Sequence, residues 1–244
     1  MTIFRWQNCY ADVATAMHGI SVQSFLDDVI VPSIQALEEK MHILSRSDEP
    51  ITALALSDTG DMLRETKMAF ALSIQSIWER QLRGYLRGCA SALRPHKGLE
   101  EKAEKANWRR LRELFIELRD IELEAFPSFS ELDKLHLLGN ACRHGDGPSA
   151  TELARHCPEL WPDYLLPPAD ANQVTAVAPS VELMDIPLDR LRLFCAAIVT
   201  FWGDAEYIYN ESIECKHPSL EARLAQERTQ RSWQPVAGMR RLRR

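Results

Sequence analysis

The sequence predicts an all-α protein, and three observations carry that reading. Apolar residues recur at steps of three and four along most of the chain. Proline, glycine and serine or aspartate caps punctuate these runs at helix-like intervals. No internal repeat of fixed period appears, so the runs count as separate elements, about five core helices forming a bundle.

The first run, Val22, Phe25, Leu26, Val29, Ile30, Leu37, Met41 and Leu44, predicts a long amphipathic helix bent or interrupted at Pro32. A break follows at Arg46 to Ile51. The second helix is expected to begin near Ser57 or Asp58, whose side chains can cap free amides, and to end at Pro95 and Gly98. Its stripe is Leu63, Phe70, Ile74, Ile77, Trp78, Leu82, Tyr85, Cys89 and Leu93. A third helix runs through NWRRLRELFIELRDIELEA, with Leu111, Leu114, Phe115, Leu118 and Ile121 inward. Ser128 and Glu131 have capping-box spacing and open a fourth helix, about Phe129 to His144; Ser149 and Glu152 open a shorter one before Pro158. A proline-rich connection, PELWPDYLLPPADANQVTAVAPS, fits either a brief extended pair or a plain loop. The last strong helix, about Pro187 to Tyr209, aligns Leu191, Phe194, Ile198, Phe201, Ala205 and Ile208. The domain boundaries that follow are 1–217 for a single helical body and 218–244 for a short helix and basic tail.

Composition narrows the class. The 244 residues are 45% hydrophobic and 26% charged, ordinary for a globular chain with a sizeable core. The net charge of −6 is uneven: seven arginines face two glutamates from Pro218 onward, a balance of +5 that leaves −11 on the rest. Such a tail suits a nucleic acid, membrane phosphates, a protein partner or a neighbouring subunit, and its bland alternative is a solvated, disordered end. The six cysteines include no C-x-x-C pair, which predicts reduced thiols and a cytoplasmic setting. No signal-peptide layout and no membrane span are expected. Phosphate-loop, dinucleotide, serine-elbow and zinc-helix motifs are all missing, so neither a cofactor nor a metal is expected.

One segment carries a chemical suggestion: Leu135 to Ser149, LHLLGNACRHGDGPS. Arg143, His144 and Gly145 fit an ordinary helix end, where cationic side chains face the carbonyl dipoles and glycine accepts positive φ. Asn140 fits less well, because asparagine lowers helix propensity. It stands four residues before His144 and four after His136, on one polar stripe. An imidazole can take a proton from a ribose hydroxyl, an amide can orient it, and a guanidinium can neutralise charge at phosphorus. His144, Asn140 and Arg143 are therefore the candidate catalytic residues for metal-independent RNA cleavage. A second stripe, Arg80, Arg83 and Arg87 with Glu79 beside it, offers a row able to track a phosphate backbone, or else a solvated, ion-paired helix face. Glu79 is also a candidate partner for His144 or Arg143.

At Gly139-Asn140-Ala141-Cys142-Arg143-His144 the sequence resembles the HEPN superfamily, whose signature is an arginine, often followed directly by asparagine, then a histidine near a helix end. The resemblance implies an up-and-down helical bundle, homodimeric, and in many members a ribonuclease of toxin–antitoxin, CRISPR or phage-defence systems. Asn140 and His144 match the pattern. Gly139 stands where the arginine belongs, Leu137 and Leu138 do not supply it, and Arg143 from the next turn is the candidate substitute. The alternative is a non-catalytic interaction or regulatory module of the same architecture. A third reading is a helical subunit that docks through its basic tail.

Overall fold

A computed structural model describes residues 3–47, 49–162 and 179–235. Among them the chain is all-α, with nine α-helices, short ones included. These are α1 (Thr15–Phe25), α2 (Val31–Leu44), α3 (Pro50–Leu93), α4 (Leu99–Lys105), α5 (Trp108–Arg119), α6 (Phe129–His144), α7 (Pro148–His156), α8 (Leu188–Ser212) and α9 (Pro218–Gln230). No helix among the described residues is long and apolar enough to cross a membrane. Of the proline-rich connection, Pro158–Leu160 forms a short 3-10 turn and residues 163–178 lie outside the described set; a second 3-10 turn, Val181–Leu183, follows it.

The break expected at Pro32 takes the form of a π-turn, Leu26–Ile30, in which the Val31 amide reaches the Leu26 carbonyl. Proline lacks an amide and its ring crowds the carbonyl four residues back, and one wider turn relieves both. The wider turn also shifts the phase of the stripe, which leaves Val29 exposed while Leu26 and Ile30 are buried. The second helix starts at Pro50, seven residues before Ser57, because proline is well tolerated in the first turn and ITALAL continues as good helix formers. The third predicted helix is shorter than expected. Asn107 caps α5 by accepting from the Arg110 amide, and Asp120, at φ 57°, ends it. Two expected caps are not made. The Ser128 hydroxyl has no hydrogen-bond partner, and Glu131 is held by Lys134 at 2.6 Å and Arg190 at 3.1 Å. Gly147, not Ser149, is the N-cap of α7, and Glu152 pairs with Arg155 and His156.

Packing divides the chain into two compact units, each assembled from separate segments. The first comprises 1–21, 78–130 and 197–244. Its core is a set of edge-on and tilted aromatic rings: Trp78, edge-on, and Phe126, tilted, each lie 4.8 Å from Phe201, which lies 5.1 Å from Trp202. Beside it, Asp12 and Arg119 form an ion pair with neither side chain exposed, and the Tyr85 hydroxyl donates to the same carboxylate at 2.8 Å. The C-terminal helix α9 belongs to this unit. Leu224 is buried, Arg228 pairs with Glu211 and Glu221, and Arg231 pairs with Asp204. Two of the seven arginines counted from Pro218 onward, Arg228 and Arg231, are thus paired within the fold. The arginines from Arg240 onward, and the tail from residue 236, lie outside the described residues.

The second unit comprises 22–77 and 131–196. Ile30, Ile34, Ile74, Leu132, Leu135, Leu138, Leu153, Leu191 and Phe194 fill its core. Lys67, nearly buried, is paired with Asp185 at 2.9 Å.

Candidate functional site

In the second unit, α6 buries Leu132, Leu135, Leu138, Gly139 and Ala141 and leaves the stripe of His136, Asn140 and His144 facing outward. The stripe divides into two environments. Asn140 and His136 are half-buried and joined, with the amide nitrogen 3.0 Å from Nε2 of the ring. His144 is exposed in the last turn. Asn140 therefore orients His136 and not His144. Arg143, also exposed, donates through Nη2 to Oε1 of Gln75 at 3.1 Å. Gln75 is fully buried, and its Nε2 has no hydrogen-bond partner.

Gly139 has a clear steric reason. A Cβ at this position would lie 2.5 Å from Cγ and 2.9 Å from Cβ of Gln75. Helix α6 approaches α3 so closely here that only hydrogen fits, and an arginine is excluded. The following loop is structural as well. Gly145, at φ 70°, closes α6 by donating its amide to the Ala141 carbonyl at 2.8 Å. The Asp146 carboxylate accepts from the Val181 amide at 2.7 Å. Arg143, His144 and Gly145 thus meet the requirements of a helix terminus, and Asp146 is a tether that the sequence did not disclose.

The arginine row lies in the first unit and separates into two roles. Nη1 of Arg83 lies 3.0, 2.9 and 2.7 Å from the carbonyls of Ala103, Glu104 and Ala106. Its Nη2 lies 3.6 Å from Glu79. That guanidinium caps the C-terminal end of α4, so its donors are already committed and Arg83 drops out of a phosphate-tracking row. Glu79 is correspondingly an ion-pair partner of Arg83. Arg80 and Arg87 are exposed, and Arg87 has only a 4.0 Å contact with Glu104.

Arg80 and Arg87 border a groove of about 390 Å³ shared with Tyr10, His18, Gly84 and Glu100. Gly84, exposed on the α3 side of this groove, adds no side chain there, while Gln81, Tyr85 and Ser91 of α3 also line it. A Cβ on Gly84 would meet nothing within 4 Å, whereas one on Gly88 would lie 2.8 Å from Ala11 Cβ. Tyr10 is largely exposed at the rim. Burial lowers the pKa of His18, whose ring lies 4.5 Å from that of Trp202. Neither Tyr10 nor His18 was marked by the sequence. The readable signal was RQLRGYLRG, two glycines inside a helix, each costing about 1 kcal/mol against alanine without some return in packing or access.

Among the described residues, no group of three or more His, Cys, Asp or Glu side chains is placed to hold a metal ion. No family model matches the chain, and neither a curated protein nor a solved structure matches it.

Proposed function

We propose that the chain is a HEPN-like helical protein that binds single-stranded RNA without cleaving it, a binding or regulatory member of that architecture. The observation that carries this reading is the groove of the first unit, which Arg80 and Arg87 border and which has Tyr10 at its rim. Cations along a groove and an aromatic face for a base are what sequence-tolerant single-strand binding needs. Two features of α6 support binding over cleavage: Gln75 fills the space of the signature arginine, and Asn140 is engaged by His136. Fluorescence anisotropy of a labelled single-stranded RNA against the full chain and an Arg80→Ala/Arg87→Ala variant tests the reading. Equal affinity in both ends it.

The cleaving alternative, with His144 as acid and base, keeps one observation in its favour, the exposure of both Arg143 and His144 in the last turn of α6. Metal-free incubation with labelled RNA, beside a His144→Ala version, decides it. Cleavage lost in the variant with helicity intact would restore the enzyme; equal background retires it. A homodimer belongs to the same proposal, as the resemblance implies, and the exposed apolar row Val13, Met17 and Ile20 supports it. Light scattering of the full chain reads the oligomeric state, and a monomer at micromolar concentration removes the dimer.

A further inference from the structure

Cys9 and Cys89 are eighty residues apart in the chain, yet their sulfurs are 3.7 Å apart in the first unit. The two thiols are unlike. Cys89 is fully buried on α3. Cys9 is half-exposed, precedes the short 3-10 turn Tyr10–Ala14, and borders an open pocket of about 530 Å³ that includes Trp6, Asn8, Tyr209 and Glu214. Its amide donates to Asp12 at 2.7 Å, which fixes the backbone that presents the sulfur. One sulfur is reachable from outside, and the other waits behind it, shielded.

We propose that Cys9 and Cys89 form a peroxide-responsive dithiol, Cys9 taking the oxidation and Cys89 closing it into an intramolecular disulfide. The sulfur of Cys9 attacks one oxygen of a hydroperoxide. The S–O bond forms, the O–O bond breaks, and the departing hydroxide or alkoxide takes a proton. Cys9 is then a sulfenic acid and the peroxide has been reduced. The Cys89 sulfur next attacks that of Cys9; the S–S bond forms, the S–O bond breaks, and the hydroxyl leaves as water with the Cys89 proton. With hydrogen peroxide, two thiols yield one disulfide and two waters. Bonding requires the sulfurs to close from 3.7 Å to about 2.05 Å.

The electrostatics agree with this division of labour. The hydrogen bond between Cys9 and Cys89 lowers the Cys9 thiol from 9.0 to about 7, against opposing contributions from burial and Asp12 and with further help from Arg119. The same bond and burial raise Cys89. Burial lifts Cys142 and Cys195 to about 12 and Cys157 to about 11, which leaves them poor nucleophiles.

The test uses the full chain, reduced, freed of reductant and given hydrogen peroxide in equimolar steps. Thiol titration and peptide mass mapping should show two thiols lost per chain, a Cys9–Cys89 linkage within one chain, and full recovery with dithiothreitol. The Cys89→Ala variant should stop at a sulfenic acid on Cys9, captured by dimedone. Should that variant fail to fold, Cys9→Ser serves: Cys89 should then stay reduced at peroxide doses that consume it in the parent. Oxidation confined to exposed Cys215, a linkage only between chains, or Cys89 oxidised equally fast without Cys9 would each overturn the proposal.

Discussion

Asp12 and Arg119 face each other with no solvent on either side chain, and the carboxylate is shared with the hydroxyl of Tyr85. Arg119 also donates to the Gln7 carbonyl at 3.0 Å and stacks over Trp6 at 3.8 Å. Removing the carboxylate would leave a buried cation with its main partner gone. Asp12→Ala should therefore cost about 3–5 kcal/mol, the usual penalty for breaking a buried pair from one side. Urea unfolding followed by far-ultraviolet circular dichroism measures it, and a loss under 1 kcal/mol would show the pair to be open to water.

Tyr85 predicts an alkaline limit to stability. Burial is the first cause that raises its hydroxyl well above the ordinary value of 10. The folded phenol keeps its proton where the unfolded one has lost it. The stability it contributes is fully present below about pH 10 and declines as the pH rises through the unfolded value toward the folded one. The urea midpoint of the parent should fall between about pH 9.5 and 11, and Tyr85→Phe should flatten that slope. A parallel decline in both proteins would assign the effect to other groups.

Gly139 predicts an asymmetry between small changes. A methyl group there must displace Cβ and Cγ of Gln75, atoms close to the backbone and slow to yield. Despite alanine's better helix propensity, Gly139→Ala should destabilise by about 1–3 kcal/mol, the range for overpacking. Combining it with Gln75→Ala should recover part of the loss. Simple additivity in a double-mutant cycle would mean that the two residues do not meet.

Arg80 and Arg87 predict a salt signature. If each neutralises one phosphate, their double replacement should lower the slope of log affinity against log salt by roughly 1.4, at about 0.7 per single-strand contact. Replacing Arg83 should leave that slope unchanged and lower stability instead, since it caps α4. A slope change on losing Arg83 would reverse the assignment.

Cys9 predicts a reactivity profile. With its thiol lowered to about 7, among Cys89, Asp12, Arg119 and Tyr85, its alkylation by iodoacetamide should be half-maximal near pH 7. A midpoint near 9, followed by mass mapping of the Cys9 peptide, would mean that Cys89 does not stabilise the thiolate.

The sequence disclosed the helices whose apolar stripes are uninterrupted. Helices α6 and α8 lie within a few residues of their expected limits because leucines and phenylalanines mark one face throughout. Starts were harder to read. Pro50 begins α3 seven residues ahead of the serine expected to open it, and the serines at 128 and 149 promised caps that the chain does not make. The site was legible only as residue types. His136, Asn140 and His144 do share a stripe, but which imidazole the amide would choose depends on local rotamers that spacing does not encode. That Arg83 would turn to the carbonyls of α4 depends on a tertiary contact, as does the meeting of Cys9 with Cys89.

The contact between Gly139 and Gln75 also locks the two positions to each other. An arginine at position 139 would collide with the α3 glutamine. Trimming position 75 alone would open a void and release Arg143 from its acceptor. Either single change leaves a less stable protein, so the pair resists alteration one residue at a time.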